Sequence, residues 1–462
     1  MNFWANGEFY GNWQPGHIPL GKPAGESLLY RGLMLLLFYV FRITGIVSPE
    51  DKMMIIRGIH AFLSMMTVIL GYRIARRQAG PAAGEFAGIL LAILWFLPWT
   101  NVRNLPEAFV IPFLVAGVWL LINRKKPALI PSLLSGIIMG FAFSIWFGSS
   151  FFTIGILLAL IFLGMYFELL LFIAGLVLSI GLLQGIPDIL VWGKPYVEIQ
   201  AFIQTTFIEF KQITFSRSFK YLLILTLLCI PPFSLFLLWG FIRMWKKLML
   251  IVLPTSLFII WFALNPSKSM IHILPSVPFM IIAGASGWML YIRGASIIKN
   301  NQKIYNYMLL AFWIVNIGLL PLATTMYSNR SRIESMKHIS EFKNVTSVFT
   351  ERSMDSSSYL LPMFYLRQDV REYHLGLGQS RKSLFDSIRT DKNYMPRFVI
   401  FFKEDDFKTR IQKMYPLVLN IGYQATFEAG PAERILEKIR FCKAGETIIL
   451  YRNNYFFEGR SD

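Results

Sequence analysis

The run Phe151-Phe-Thr-Ile-Gly-Ile-Leu-Leu-Ala-Leu-Ile-Phe-Leu-Gly-Met-Tyr-Phe-Glu-Leu-Leu-Leu-Phe-Ile-Ala-Gly-Leu-Val-Leu-Ser-Ile-Gly-Leu-Leu-Gln-Gly-Ile186 carries one charge, Glu168, in 36 residues. Roughly 20 apolar residues cross the ~30 Å hydrocarbon layer of a bilayer. The run therefore predicts two membrane helices, 151–166 and 168–186, joined by a tight turn at Glu168. Solid apolar blocks of this kind exclude an outer-membrane β-barrel, whose strands alternate over about ten residues.

Outward from this pair, the same ruler gives eight further spans at 53–72, 85–100, 105–122, 128–147, 219–241, 248–264, 271–292 and 304–327. The whole chain agrees, with 55% of its 462 residues hydrophobic and only 16% charged. A soluble domain averages about a quarter charged, so a soluble enzyme and a disordered chain are both excluded. The chain reads as a polytopic α-helical membrane protein of about ten spans.

Its net charge of +18 is explained by position rather than by a nucleic-acid partner. Arg73-Ile-Ala-Arg-Arg77, Arg124-Lys-Lys126, Arg243-Met-Trp-Lys-Lys247 and the segment Arg293 to Lys303 fall on one side if the spans alternate. Loops rich in Lys and Arg stay cytoplasmic. The outer side then receives residues 1–52, the turns 99–104, 148–150 and 265–270, the loop 187–218 and everything from 328.

Residues 27–46 are long enough to span, yet Arg31 and Arg42 interrupt them, and a central charge costs a few kcal/mol. An amphipathic helix lying on the outer surface fits better. The chain then divides into an outer loop with its interfacial helix (1–52), a membrane domain (53–327) and an outer domain (328–462). With no earlier span to carry residues 1–26 outward, this topology also predicts a hydrophobic helix encoded upstream of Met1. In the last domain, β-rich runs at Ser347–Thr350, Phe398–Phe402, Gln424–Glu428 and Thr447–Tyr451 alternate with helix-like segments near Ser356–Leu366, Asp405–Met414 and Pro431–Arg440. That alternation predicts a small α/β fold. Cys229 and Cys442 suggest no disulfide framework, and no ligand spacing points to a metal or another cofactor.

Chemistry is expected where ionisable groups meet the membrane edge. The densest such stretch is Trp4-Ala-Asn-Gly-Glu-Phe-Tyr-Gly-Asn-Trp-Gln-Pro-Gly-His17, with one carboxylate, Glu8, and Gln14 and His17 nearby. A carboxylate among aromatic groups can serve as general base toward a hydroxyl. The plainer reading is an anchoring loop, with Trp and Tyr at headgroup level. His60, inside a span, reads as a packed core histidine, and Pro231-Pro232 as a helix kink.

This stretch resembles the first outer loop of glycosyltransferase family 22, the polyprenyl- or dolichyl-phosphate-mannose-dependent mannosyltransferases of the GT-C fold. The family's His-Pro-Asp-Glu, aromatic pair, Glu-Pro, His and Gly match Asn6-Gly7-Glu8, Phe9-Tyr10, Gln14-Pro15, His17 and Gly21. Its next acidic and basic positions fall near Glu26 and Arg31, and residues 27–46 match its membrane-surface helices. Val102-Arg-Asn-Leu-Pro-Glu-Ala-Phe109 is similar to the family's Arg-x-Leu-Pro-Asn-x-Phe, with Glu107 replacing Asn. Asp188-Ile-Leu-Val-Trp-Gly193 is similar to Asp-x-x-x-Tyr/Trp-Gly, and Asn265–Pro275 stands in the place of His-Lys-Glu-x-Arg-Phe-x-x-Pro. The resemblance covers most of residues 5–293. Departures are the family's Asp at Gly7, its Glu at Gln14, an Arg at the 146–148 boundary, and the later Glu and Arg, leaving Lys268 and His272.

The resemblance implies an inverting transfer of a sugar, mannose, from a polyprenyl-phosphate donor to a glycan or glycolipid acceptor at the outer surface. Glu8 would be the base, and Arg103 or Lys268 would stabilise the charge growing on the phosphate. Asn6, Gln14, His17, Glu26, Arg31, Glu107, Asp188 and His272 would complete the donor and acceptor sites. A bacterial inner membrane with a periplasmic active face is expected, with the endoplasmic reticulum as the alternative. The missing charges keep a second reading open, a non-catalytic member or a transporter of a lipid-linked glycan.

The orientation is directly testable. A membrane-impermeant maleimide should label Cys442 from the outer side of intact cells, whereas Lys125→Cys should react only after permeabilisation. Labelling with the opposite sidedness overturns the topology.

Overall fold

A segment in hydrocarbon must satisfy its backbone N–H and C=O groups internally, and the apolar blocks do so as helices. The computed structural model describes residues 23, 25–122, 129–210, 223, 226–264, 270–294, 301–325, 330–343, 345–350, 361–368, 370–374, 396–402, 421–431, 434 and 447–454. Its helices are α1 (Leu28–Ile43), α2 (Pro49–Ala79), α3 (Pro81–Ile93), α4 (Leu97–Asn101), α5 (Pro106–Ile122), α6 (Leu129–Ile145), α7 (Ser150–Phe162) and α8 (Tyr166–Ile180). After a π-helical turn at Gly181–Gly185 come α9 (Ile186–Trp192), α10 (Val197–Phe210), α11 (Phe233–Arg243), α12 (Met249–Leu264), α13 (Val277–Gly294), α14 (Gln302–Thr324) and α15 (Arg330–Ser340).

Among the described residues, four helical stretches are long and apolar enough to cross a bilayer: Pro49–Ala79, Tyr166–Trp192, Ile271–Gly294 and Gln302–Thr324. Six shorter apolar helices, Pro81–Ile93, Pro106–Ile122, Leu129–Ile145, Phe147–Phe162, Phe233–Arg243 and Met249–Leu264, overlap the other six expected spans. Helix α1 has 16 residues, about 24 Å at 1.5 Å per residue, shorter than the hydrocarbon layer.

Two expected spans are interrupted. The 85–100 segment breaks after Ile93, and α4 restarts at Leu97-Pro98. Asn316, buried in α14, closes the gap: its side-chain amide donates to Ile93 O at 2.8 Å, and its Oδ1 accepts the Trp95 N–H at 2.9 Å. The orphan groups of a helix end are thus satisfied from a neighbouring helix. The 219–241 segment breaks at 229–232 instead of kinking, with Ile230 at φ 59 and a cis Pro231-Pro232 bond. Consecutive prolines withhold two backbone donors there.

Lipid tails are as apolar as leucine, so membrane helices associate through close packing of small residues. Helices α6 and α8 show this at Gly136, where a Cβ would lie 2.0 Å from the Phe172 carbonyl oxygen. At Gly175 a Cβ would lie 2.2 Å from Leu133 O. Helices α11 and α13 meet likewise at Gly240 and Gly287, where a Cβ on Gly287 would come 2.0 Å from Gly240 O.

The described residues fall into two compact units, one within 23–37 and 53–324, the other within 38–52 and 325–454. The second holds a five-stranded mixed sheet built from β1 (Ser347–Thr350), β2 (Arg371–His374), β3 (Phe398–Phe402), β4 (Ile421–Phe427) and β5 (Ile448–Asn453), in the order β2-β1-β3-β5-β4. Strand β1 runs parallel to β2 and β3, while β5 is antiparallel to β3 and β4. Four strands fall at or beside the expected runs. Arg371-Glu-Tyr-His374 was not among them, because it lacks an apolar pattern. Of the expected helices, Ser356–Leu366 is described only from Leu361 and holds a 3-10 turn at Met363–Leu366, while Asp405–Met414 and all of Pro431–Arg440 except residues 431 and 434 lie outside the described residues. Val348, Phe398, Ile400, Leu450 and α15's Met336 and Ile339 share one core. In the same unit Glu50 accepts Lys337 and Arg367 at 2.9 Å each, and the Lys52 ammonium lies over Phe38 and Phe364.

The α6–α8 contact yields a clear expectation. Gly136→Ala should cost about 1–3 kcal/mol through overpacking, lowering the thermal midpoint of the detergent-solubilised protein. An unchanged midpoint would show that the two helices have room to separate.

Candidate active site

The segment entering α1 gathers the expected site residues. Gly25 adopts φ +70, and a Cβ there would lie 3.0 Å from the backbone nitrogen of Phe202 in α10. Both demands favour glycine. The N–H groups of Gly25 and Glu26 donate to Glu198 Oε2 at 2.7 and 3.2 Å. Glu198 in turn donates its own N–H to Asp188 Oδ2 at 3.1 Å, and Gln184 Nε2 donates to Asp188 Oδ1 at 2.7 Å. Asp188, Glu198 and Gln184 are buried. A buried carboxylate is tolerated when hydrogen-bond donors surround it, so Asp188 holds structure in place.

Ser27 caps α1: its Oγ accepts the Leu29 N–H at 3.1 Å and donates to Ser144 O at the end of α6. Glu26 and Arg31 form an exposed ion pair, of a kind worth little to stability. One turn further, the Tyr30 hydroxyl donates to Asn104 Oδ1 at 2.5 Å and lies 3.5 Å from His60 Nε2. Burial pushes the Tyr30 phenol well above its ordinary range, and negative Glu107 pushes it the same way.

Glu107 sits in the first turn of α5, where the helix dipole favours an anion. Its Oε1 lies 2.9 Å from His272 Nδ1, off the line of a hydrogen bond. His272 stands in the 3-10 turn Met270–Ser276, stacked on Trp146 at 5.9 Å with 14° between the planes. Trp146 follows Ser144 by two residues, so the contacts run from Gln184 through Glu198, the α1 start, Ser144 and Trp146 to His272 and Glu107.

Of the residues expected from sequence, Glu26, Arg31, Glu107, Asp188 and His272 therefore belong to one connected set. Arg103 lies in the turn before α5 with its guanidinium 3.6 Å above the Trp99 ring, a cation–π stack. Asn6, Glu8, Gln14, His17 and Lys268 lie outside the described residues. Among the described residues no three His, Cys, Asp or Glu side chains group to hold a metal ion. Sequence reasoning missed Ser27, Tyr30, Asn104, Ser144, Gln184 and Glu198. The Gly-Glu-Ser turn ahead of an apolar helix is a readable cap signal for Ser27. Nothing local marks the others.

No family model matches the chain, and no curated protein does. Its fold is similar to that of ArnT from Cupriavidus metallidurans in the apo state, at 14% identity and a TM-score of 0.54 over 92% of this chain and 87% of that one. The same protein bound to undecaprenyl phosphate matches at 12% identity and 0.52, over 92% and 88%. An Archaeoglobus fulgidus oligosaccharyltransferase is more distant, at 13% and 0.47, over 93% of this chain and 66% of that one. The structural neighbours are GT-C glycosyltransferases. The chain has the GT-C fold and is an integral membrane protein.

Removing the acceptor that anchors the α1 segment should be costly. Glu198→Ala leaves two amides unsatisfied, for a loss of about 1–3 kcal/mol each. Faster proteolysis ahead of α1 and a lower thermal midpoint would record it. Unaltered protection would mean that the segment is held by other contacts.

Proposed function

We propose that this chain is a membrane glycosyltransferase that moves a sugar, mannose in our reading, from a polyprenyl-phosphate donor to a glycan or glycolipid acceptor. The observation that carries the proposal is the fold shared over 92% of the chain with ArnT, one of whose structures holds undecaprenyl phosphate. The reading takes all ten apolar helices as crossings of a bacterial inner membrane, with the chemistry on the periplasmic side.

In the proposed step the acceptor hydroxyl gives its proton to the Glu8 carboxylate. The acceptor oxygen then bonds to the anomeric carbon from the face opposite the phosphate. The bond from that carbon to the phosphate oxygen breaks, and its electron pair leaves with polyprenyl phosphate. One displacement inverts the anomeric centre. Arg103 and Lys268 are the proposed partners of the phosphate charge, because fixed cations act most strongly where water is excluded. Asn6, Gln14, His17, Glu26 and Arg31 belong in this reading to the first-loop wall of the donor and acceptor sites. The lost charges at Gly7 and Gln14 favour the rival reading, a non-catalytic member.

Reconstituted in liposomes with labelled polyprenyl-phosphate mannose and a candidate glycan acceptor, the protein should transfer sugar. Glu8→Gln should lower transfer at least about a hundredfold, the usual share of a general base, at equal protein level. Full transfer by that variant removes Glu8 from the mechanism, and acceptor-dependent transfer excludes the non-catalytic reading.

A further inference from the structure

We propose that the basic end of the helix bundle carries a binding site for an anionic phospholipid, built where the ends of α2, α11 and α13 meet. The inference is independent of the sugar-transfer reading and concerns the face that the sequence reads as cytoplasmic.

Cations in these segments are expected from the sequence, but a count of charges loop by loop does not say that the loops touch. Three contacts bring them to one place. Lys247, just after α11, donates from Nζ to Gln78 O in the last turn of α2 at 2.6 Å. Arg293, at the end of α13, lies against the turn between α2 and α3, where a Cβ on Gly80 would come 2.7 Å from its Nη2. The Arg243 guanidinium, at the end of α11, lies 5.1 Å from the Trp239 ring centre and 5.4 Å from that of Tyr291 in α13. Each helix end thus touches the other two.

A cation at a helix C-terminus has an ordinary role, because the helix dipole leaves about half a negative charge there. Arg76, Arg243 and Arg293 stand in the last turns of the three helices, and Lys246 and Lys247 follow α11. Glu85 is the acidic residue within segments 73–85, 243–247 and 291–294. Three dipole ends and Glu85 together offset only about half of these five cations. Among the described residues no carboxylate forms an ion pair with any of the five. Like charges so gathered repel one another, and an anion bound across the three ends relieves that repulsion.

The setting favours a lipid over a soluble anion. Leu235, Trp239 and Ile242 lie at helical spacing on one face of α11 and are exposed, as is Trp245 beyond its end. In a membrane protein an exposed apolar stripe of this kind runs along acyl chains, and tryptophans at its end sit at headgroup level. Arg243 and Lys246 are then at the depth of the lipid phosphates. A guanidinium offers paired N–H donors to phosphate oxygens, and cations beside a membrane helix attract the anionic lipids of the cytoplasmic leaflet. In this site the acyl chain follows Leu235 to Ile242, and the phosphate lies among Arg243, Lys246 and Arg293. A zwitterionic lipid carries its own cation and gains little there.

The test titrates the full chain in detergent with phosphatidylglycerol and, separately, with phosphatidylcholine, and counts bound lipid by native mass spectrometry. Phosphatidylglycerol should bind at least about tenfold more tightly, and Arg243→Gln/Lys246→Gln/Arg293→Gln should weaken it about a hundredfold, at about fivefold per cation. The charge-preserving pair Arg243→Lys/Arg293→Lys should keep most of the binding, which separates lost charge from misfolding. Arg57→Gln/Lys194→Gln/Lys343→Gln, which removes exposed cations elsewhere, should bind as the wild type does. Equal affinity for the two lipids overturns the site, as does a loss in the lysine pair or in the second glutamine variant equal to that in the first. Displacement of the lipid by an equal concentration of inorganic phosphate also overturns it, since the site would then serve a free anion. None of these readouts involves sugar transfer, so failure of this site leaves the proposed function standing, and the reverse.

Discussion

Two backbone amides directed at one buried carboxylate hold the site together. The N–H groups of Gly25 and Glu26 converge on Glu198 Oε2, and everything that α1 then touches depends on where that contact places its first turn. From there Ser27 reaches the end of α6, and Tyr30 reaches Asn104 and His60. The contact is possible only because Gly25 accepts a left-handed φ and has no Cβ to strike Phe202. A carboxylate that receives backbone donors is among the stronger hydrogen-bonding arrangements available in a dry setting.

The acidic residues divide into two kinds of use. Asp188 and Glu198 are buried and accept hydrogen bonds from amides, so their charge is absorbed by the fold. Glu107 is buried with one oxygen lacking such a donor among the described residues, and its neighbour His272 is the partly open one. A charge absorbed by the structure positions a chain, whereas a buried oxygen left without a donor is open to a further partner. In a protein with only 27 acidic residues, that difference in surroundings separates scaffold from candidate chemistry.

The membrane helices were legible because apolar length is a one-dimensional property. Each expected span overlaps an apolar helix, and the sheet strands at Ser347–Thr350 and Phe398–Phe402 coincide with their runs. The break after Ile93 was not legible, because the group that permits it is Asn316, more than 220 positions away. Glu107 and His272 were each singled out from a resemblance, yet nothing in the chain states that they touch. Tyr30 and Glu198 carry no local signal, since a tyrosine in an apolar run and a glutamate at a helix start are ordinary until their partners are known.

By itself, the sequence determined that this is a helical membrane protein and where its apolar blocks and basic loops lie. Those follow from apolar length and the positions of charges along the chain, which need no knowledge of neighbours. Only the tertiary structure decided which of the described carboxylates receive hydrogen bonds and which histidine stands beside Glu107. Hydrogen bonding and burial are properties of pairs brought together across 100 or more positions, as Gly25 and Glu198 or Glu107 and His272 are.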